Sequence, residues 1–91
     1  MSFFTYVLYS ELFDRLYIGQ TDNLVRRLHQ HNSGKVPSTK PYIPFKLVQV
    51  EEFSTREEAL KREKTLKLGR ERKRLRKFIT KSELIALPSK S

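Results

Sequence analysis

Three charged or ionisable side chains stand where a hydrophobic pattern leaves little room for them. On a helix over about residues 23–31, Leu24, Val25 and Leu28 mark the apolar stripe, and Arg27 and His31 border it one turn apart. On a later helix, Ala59, Leu60 and Leu66 mark the stripe, and Glu63 falls inside it. A carboxylate in that position is costly unless it meets a cation, a metal or hydrogen-bond donors. Glu57 and Glu58 lie off the stripe, as ordinary first-turn acids that favour the helix dipole. Each of the three has a structural and a chemical explanation. Arg27 could lay its stem along the core edge, and His31 could be a satisfied boundary histidine. Glu63 could be half of a buried ion pair with Arg27, or a metal ligand. Tyr6, Tyr9 and Tyr17 fall close together on the first two extended segments. They supply either packing with satisfied hydroxyls or phenols for proton transfer.

The elements that must position these residues follow from the pattern. Phe3 to Tyr9 is aromatic and β-branched and predicts a strand; Ser10 to Asp14 turns; Arg15 to Gln20 returns as a second strand. Thr21 or Asp22 offers a helix cap, and Asn32-Ser33-Gly34 a stop. Residues 35–45 carry three prolines and two lysines, Lys35 and Lys40, and predict an exposed basic loop. Lys46 to Phe53 is a third strand, with Leu47, Val48 and Val50 as its apolar members. Ser54 caps the second helix, with Glu57 reaching back to it. That helix runs to about Leu68, Gly69 ends it, and Arg70 to Ile79 forms a shorter basic helix. The expected fold class is α+β: a three-stranded, mainly antiparallel sheet with helices packed on it, in the order β-β-α-β-α-α.

With 91 residues the chain forms one domain with one modest core. The expected division is a domain over 1–82 and a tail over 83–91. There is no cysteine, which excludes a disulfide scaffold, a cysteine nucleophile, a Cys-ligated zinc site and an iron–sulfur cluster. No apolar run approaches the length of a membrane span, and the N-terminal segment lacks the features of a signal peptide. A cytoplasmic location is the expectation. Nineteen basic residues against ten acids give a net charge of +9. A small domain of that charge favours a polyanion partner, nucleic acid before a membrane surface.

The motif Tyr17-Ile18-Gly19, Arg27 ten positions after Tyr17, His31 four later and Asn32-Ser33-Gly34 closing the helix resemble the GIY-YIG nuclease family. Phe4-Thr5-Tyr6 stands where the family's first triplet stands, keeping only its tyrosine. The segment from Ala59 to Lys67 is similar to the family's metal-site helix. The resemblance covers residues 3–80. It is nearest to the small standalone members, which are similar to the N-terminal nuclease domain of the excision-repair incision enzyme. Some members carry tyrosine where this chain has His31, and histidine there resembles the branch that includes some restriction enzymes. Many members place an asparagine on a helix after the glutamate; residues 64–91 contain none.

The resemblance implies a metal-dependent endonuclease that hydrolyses phosphodiester bonds in DNA, directed by structure rather than sequence, in repair or recombination. The other reading is a non-catalytic nucleic-acid-binding module that keeps the fold. In the first, Glu63 holds Mg²⁺ or Mn²⁺, hard ions for which one carboxylate can suffice. Arg27 pairs with the non-bridging phosphate oxygens. A tyrosine, Tyr17 or Tyr6, takes the proton of the attacking water, provided that a neighbouring charge lowers its ordinary value near about 10. The family points to Tyr17, with Tyr6 as an orienting partner. His31 assists Tyr17 or touches phosphate. Residues 67–81 hold eight cations and only Glu71 as an acid. They place Lys67, Arg70, Arg72, Lys73, Arg74, Arg76 and Lys77 along a nucleic-acid backbone. Lys35, Lys40 and Tyr42 of the basic loop add contacts, Tyr42 by stacking on an unpaired base. DNA is the expected partner, with RNA as the other polymer these residues allow, and a protein partner could supply specificity.

Overall fold

The protein is described by a computed structural model that covers the backbone of residues 1–90 and the side chains of residues 1–79. The tail expected over 83–91 lies outside the residues described with side chains. Strand β1 (Phe3–Ser10) is central, flanked by β2 (Arg15–Thr21) and β3 (Lys46–Phe53), in the order β2-β1-β3 with both pairings antiparallel. Helix α1 (Leu24–Asn32) follows β2, a 3₁₀ turn (Lys40–Tyr42) precedes β3, and α2 (Arg56–Leu66) and α3 (Gly69–Lys90) complete the chain. The fold is α+β in the order read from the sequence.

The side-chain period of a strand divides the core in two. Val7 and Ile18 point to one face and pack with Leu66 of α2 and Leu75 of α3. Tyr6 and Leu8 point to the other and pack with Phe45, Tyr17, Leu24 and Leu28. Tyr6 pairs with Gly19 and Leu8 with Tyr17, so Tyr6 and Tyr17 share the α1 face. On the opposite face the Thr5 hydroxyl donates to the Ala59 carbonyl at 2.7 Å. That bond pins α2 to the central strand one turn before Glu63.

Several local expectations are corrected. The cap of α1 is Asn23, whose side chain accepts the Arg26 N–H at 3.1 Å; Thr21 instead bonds Asn23. The capping box of α2 is one residue later than expected, Thr55 with Glu58, because the chain stays extended through Thr55. α2 ends at Leu66 with Lys67 as its cap, and Gly69 opens α3 rather than closing α2; α3 spans Gly69–Lys90 and is not the shorter helix expected over Arg70 to Ile79. Gly34 does stop α1, at φ +78°, in the left-handed region that glycine enters without a Cβ clash. In β3 the ladder slips between Val7 and Leu8, so Val48 packs into the core while Leu47 and Val50 stay exposed. The proline-rich segment is not simply an exposed loop, since it buries Val36, Thr39 and Phe45.

Candidate functional site

The apolar face of α1 is turned from its expected direction. Val25 is 80% exposed, while His31 is fully buried and Arg27 half-buried. The helix therefore presents Arg27, His31, Leu24 and Leu28 to the sheet. Two polar residues can face inward because partners from distant segments satisfy them.

His31 is the hub. Its Nε2 lies 3.0 Å from the Tyr6 hydroxyl and its Nδ1 lies 2.9 Å from Thr39 Oγ1. Thr39 donates its own proton to the Val36 carbonyl at 3.3 Å, which leaves its oxygen to accept from Nδ1–H. We assign the tautomer on that basis: Nδ1 carries the proton and Nε2 accepts from Tyr6. Burial, and then the charge of Arg27, push His31 down to about 4. It is a neutral imidazole at neutral pH, and full burial denies it the direct phosphate contact considered from the sequence.

Tyr6 is also buried, and desolvation pushes its hydroxyl up to about 12 despite the opposing pull of Arg27. Loss of its proton is thus harder than for an ordinary tyrosine, which counts against Tyr6 as the base considered from the sequence. The Arg27 guanidinium lies close to the Tyr6 hydroxyl and, with a smaller effect, to the Tyr17 hydroxyl; the nearness of the Tyr6 oxygen is the main reason Arg27 is raised. Arg27 also donates to Gln30 at 3.1 Å. Tyr17 stacks at a tilt on His31, with centroids 4.7 Å apart, and is only partly buried. The close approach depends on Gly19. A Cβ there would sit 2.6 Å from the Tyr6 hydroxyl oxygen and 3.1 Å from Tyr17 Cε1.

Glu63 comes close enough for its charge to act on Tyr6. It does not pair with Arg27; its Oε2 takes Lys67 at 2.7 Å, one turn on. Its side chain is 19% exposed, at the edge of the α2 contact face rather than inside it. Leu60, the expected far edge of that face, is 41% exposed. Among the described residues no three histidine or acidic side chains gather to enclose a metal, and Glu63 Oε1 accepts no hydrogen bond. A single, partly exposed carboxylate with one free oxygen suits a hard divalent ion that keeps most of its waters.

The proposed binding residues divide. Lys35 and Lys40 are exposed beside Gly34. Tyr42 is not free to stack on a base, because the Arg15 guanidinium covers its ring at 4.2 Å and Phe13 meets its edge. On α3, Arg74 pairs with Glu71, and Arg76 reaches back to Asp14 in the β1–β2 turn. Lys67 is held by Glu63. Arg70, Arg72, Lys73 and Lys77 are exposed and have no ion-pair partner among the described residues. Arg15, Tyr17, Ser38, Tyr42, Arg72 and Arg76 line a cleft of about 250 Å³. Sequence reasoning missed Thr39 and Arg15. Nothing local singles out a threonine among prolines, although Val36 and Phe45, apolar residues in a polar loop, signalled that part of this segment turns inward.

The profile described as the GIY-YIG catalytic domain matches residues 2–82. A UPF0213 protein of Streptococcus pneumoniae serotype 4 is 44% identical over 52 residues, 56% of this chain and 52% of the relative. One from Syntrophus aciditrophicus is 43% identical over 65 residues, 68% of this chain and 75% of the relative. The chain spans between half and three-fifths of the length of the streptococcal relatives it matches. The NMR structure of a UPF0213 protein from Bacillus halodurans superposes with a TM-score of 0.52 at 31% identity, covering 86% of this chain and 85% of the other.

Proposed function

Since the chain belongs to the GIY-YIG family, we propose that it is a divalent-metal-dependent endonuclease that hydrolyses phosphodiester bonds in DNA, choosing substrates by structure. The observation that carries this reading is Arg27 close to both tyrosine hydroxyls, with the Glu63 carboxylate of α2 near enough for its charge to act on Tyr6. Arg27 is half-buried and fork-shaped, suited to grip two non-bridging oxygens of a phosphate laid over Tyr17. Tyr17 is the residue we assign to take the proton of the attacking water. Tyr6 remains protonated, donates to His31 and offers its oxygen to Arg27, so it fixes the guanidinium rather than moving a proton. Glu63 Oε1 would hold Mg²⁺ or Mn²⁺, which when bound supplies positive charge to the phosphate and the leaving oxygen. Repair or recombination in the cytoplasm, with a protein partner adding specificity, is the setting that this activity would suit.

One observation favours a binding module instead. Lys67 already neutralises Glu63, and residues 64–91 contain no asparagine. A panel of labelled single-stranded, duplex, flap and junction DNA, with matching RNA, separates the two readings. With Mg²⁺ or Mn²⁺ the enzyme cuts branched DNA and with EDTA it does not. Retention of every substrate without a cut in either metal would leave the binding module.

A further inference from the structure

The cleft beside Tyr17 has a composition that the hydrolytic centre does not explain. It opens at the β2 edge, where Arg15 leaves the strand, and α3 closes its other side with Arg72 and Arg76. Ser38 and Tyr42 add hydroxyls from the segment between α1 and β3. Among the described residues no carboxylate lines it. Its three arginines differ in what already holds them. Arg76 is tied to Asp14. Arg15 lies on Tyr42, a neutral partner that orients the guanidinium without cancelling its charge. Arg72 has no ion-pair partner among the described residues. Two uncompensated, fork-shaped cations from separate elements thus face one small polar space. Tyr17 is a wall of that space and also a member of the Arg27 cluster.

We propose that this cleft is a second phosphate site, which takes a backbone phosphodiester of the same strand whose scissile phosphate lies on Tyr17 and Arg27, held jointly by Arg15 and Arg72. The proposal rests on reading that cluster as the hydrolytic centre. Tyr42 acts through Arg15: its ring and hydroxyl hold the guanidinium plane facing the cleft. The strand therefore meets two phosphate clamps joined by Tyr17, one that cuts and one that sets register.

Shared grip on one phosphate has a signature that a diffuse basic surface lacks. For single strands, the slope of log K against log salt falls by about 0.7 for each phosphate that is no longer neutralised. Binding of a fluorescent thymidine oligonucleotide is measured by anisotropy across a salt series in EDTA, so no cleavage intervenes. Arg15→Gln, Arg72→Gln, the double variant and Lys61→Gln, an equal charge change on the exposed side of α2, are compared. The expected result is that Arg72→Gln lowers the slope, the double variant lowers it by no more than about 0.7 in total, and Lys61→Gln leaves the slope unchanged. Reductions that add, to about 1.4 in the double variant, would mean two separate phosphates and overturn the shared site. So would an unchanged slope in all variants, or an equal reduction in Lys61→Gln. Arg72 is exposed, so its variant keeps the test valid if Arg15→Gln disturbs Tyr42. Non-additive weakening of binding in a protein that cuts nothing would retire the nuclease reading and keep the cleft; normal metal-dependent cutting with additive reductions would do the reverse.

Discussion

Acidification should weaken this fold at one identifiable residue. His31 is neutral in the folded protein, pushed down to about 4 from 6.5 by burial and by Arg27. A histidine held below its unfolded value supports folding fully while both states are neutral. As pH falls through 6.5 the unfolded chain binds the proton first, so stability drains until the folded form also protonates near 4. The slope in that window is about 1.4 kcal/mol per pH unit. By pH 4.5 the loss reaches roughly 2–3 kcal/mol, which for a domain of this size lowers Tm by about 10–20 °C. Asp14, which its bond from Tyr9 holds below the usual carboxylate range, contributes only at lower pH. The assay is a series of thermal melts from pH 7.5 to 4.5 on the full chain and on His31→Gln. Glutamine can still accept from Tyr6 and donate to Thr39 but cannot titrate, so its profile should be flat where the natural chain falls. An equal fall in both proteins would show that the imidazole is not the acid-sensitive group and would refute the tautomer and burial argument.

Other consequences are equally direct. Gly19→Ala places a methyl against the buried Tyr6 ring; overpacking should cost about 1–3 kcal/mol and abolish cleavage even at temperatures where circular dichroism shows the variant folded. Glu63→Gln breaks only a pair with half-exposed Lys67, worth about 0.3–0.5 kcal/mol, so metal-dependent cleavage should vanish while Tm moves by no more than a few degrees and DNA binding survives. A loss of several kcal/mol would instead reveal a buried structural pair. Thr55→Ala removes the capping box and should cost about 1 kcal/mol by chemical denaturation, with the cleavage rate unchanged well below the midpoint.

The elements were legible in the sequence because strands and helices announce themselves by period, and the three strands were placed nearly to the residue. Arg27, His31 and Glu63 were visible as polar residues at or within apolar stripes. What the pattern could not give was their partners. Glu63 was weighed against Arg27, yet the lysine one turn on satisfies it, a local pairing that a search for a buried partner overlooks. The face of α1 was misplaced toward Val25 because hydropathy alone cannot know that Tyr6 and Thr39 will satisfy an inward histidine. Capping was missed by one or two residues at α1 and by one at α2 for a related reason: Thr21, Asp22 and Asn23, or Ser54 and Thr55, are all competent caps, and tertiary packing of the strand ends chooses among them.

The division of the core along β1 bears on how ancestry and activity are told apart in relatives of this chain. Tyr6 and His31 are cemented into the packing on one side of the sheet, and Gly19 is the space that admits them. A lineage that abandoned hydrolysis would still be held to Tyr6, to Gly19 and, at position 31, to a side chain that fills the space and bonds Tyr6, because an unmatched replacement unsettles the domain itself. Their presence is therefore a record of descent and not a certificate of catalysis. Arg27 and Glu63, at the rim with solvent on one side, are free to drift once selection for cutting is relaxed, so they are the positions at which a silenced descendant would first betray itself.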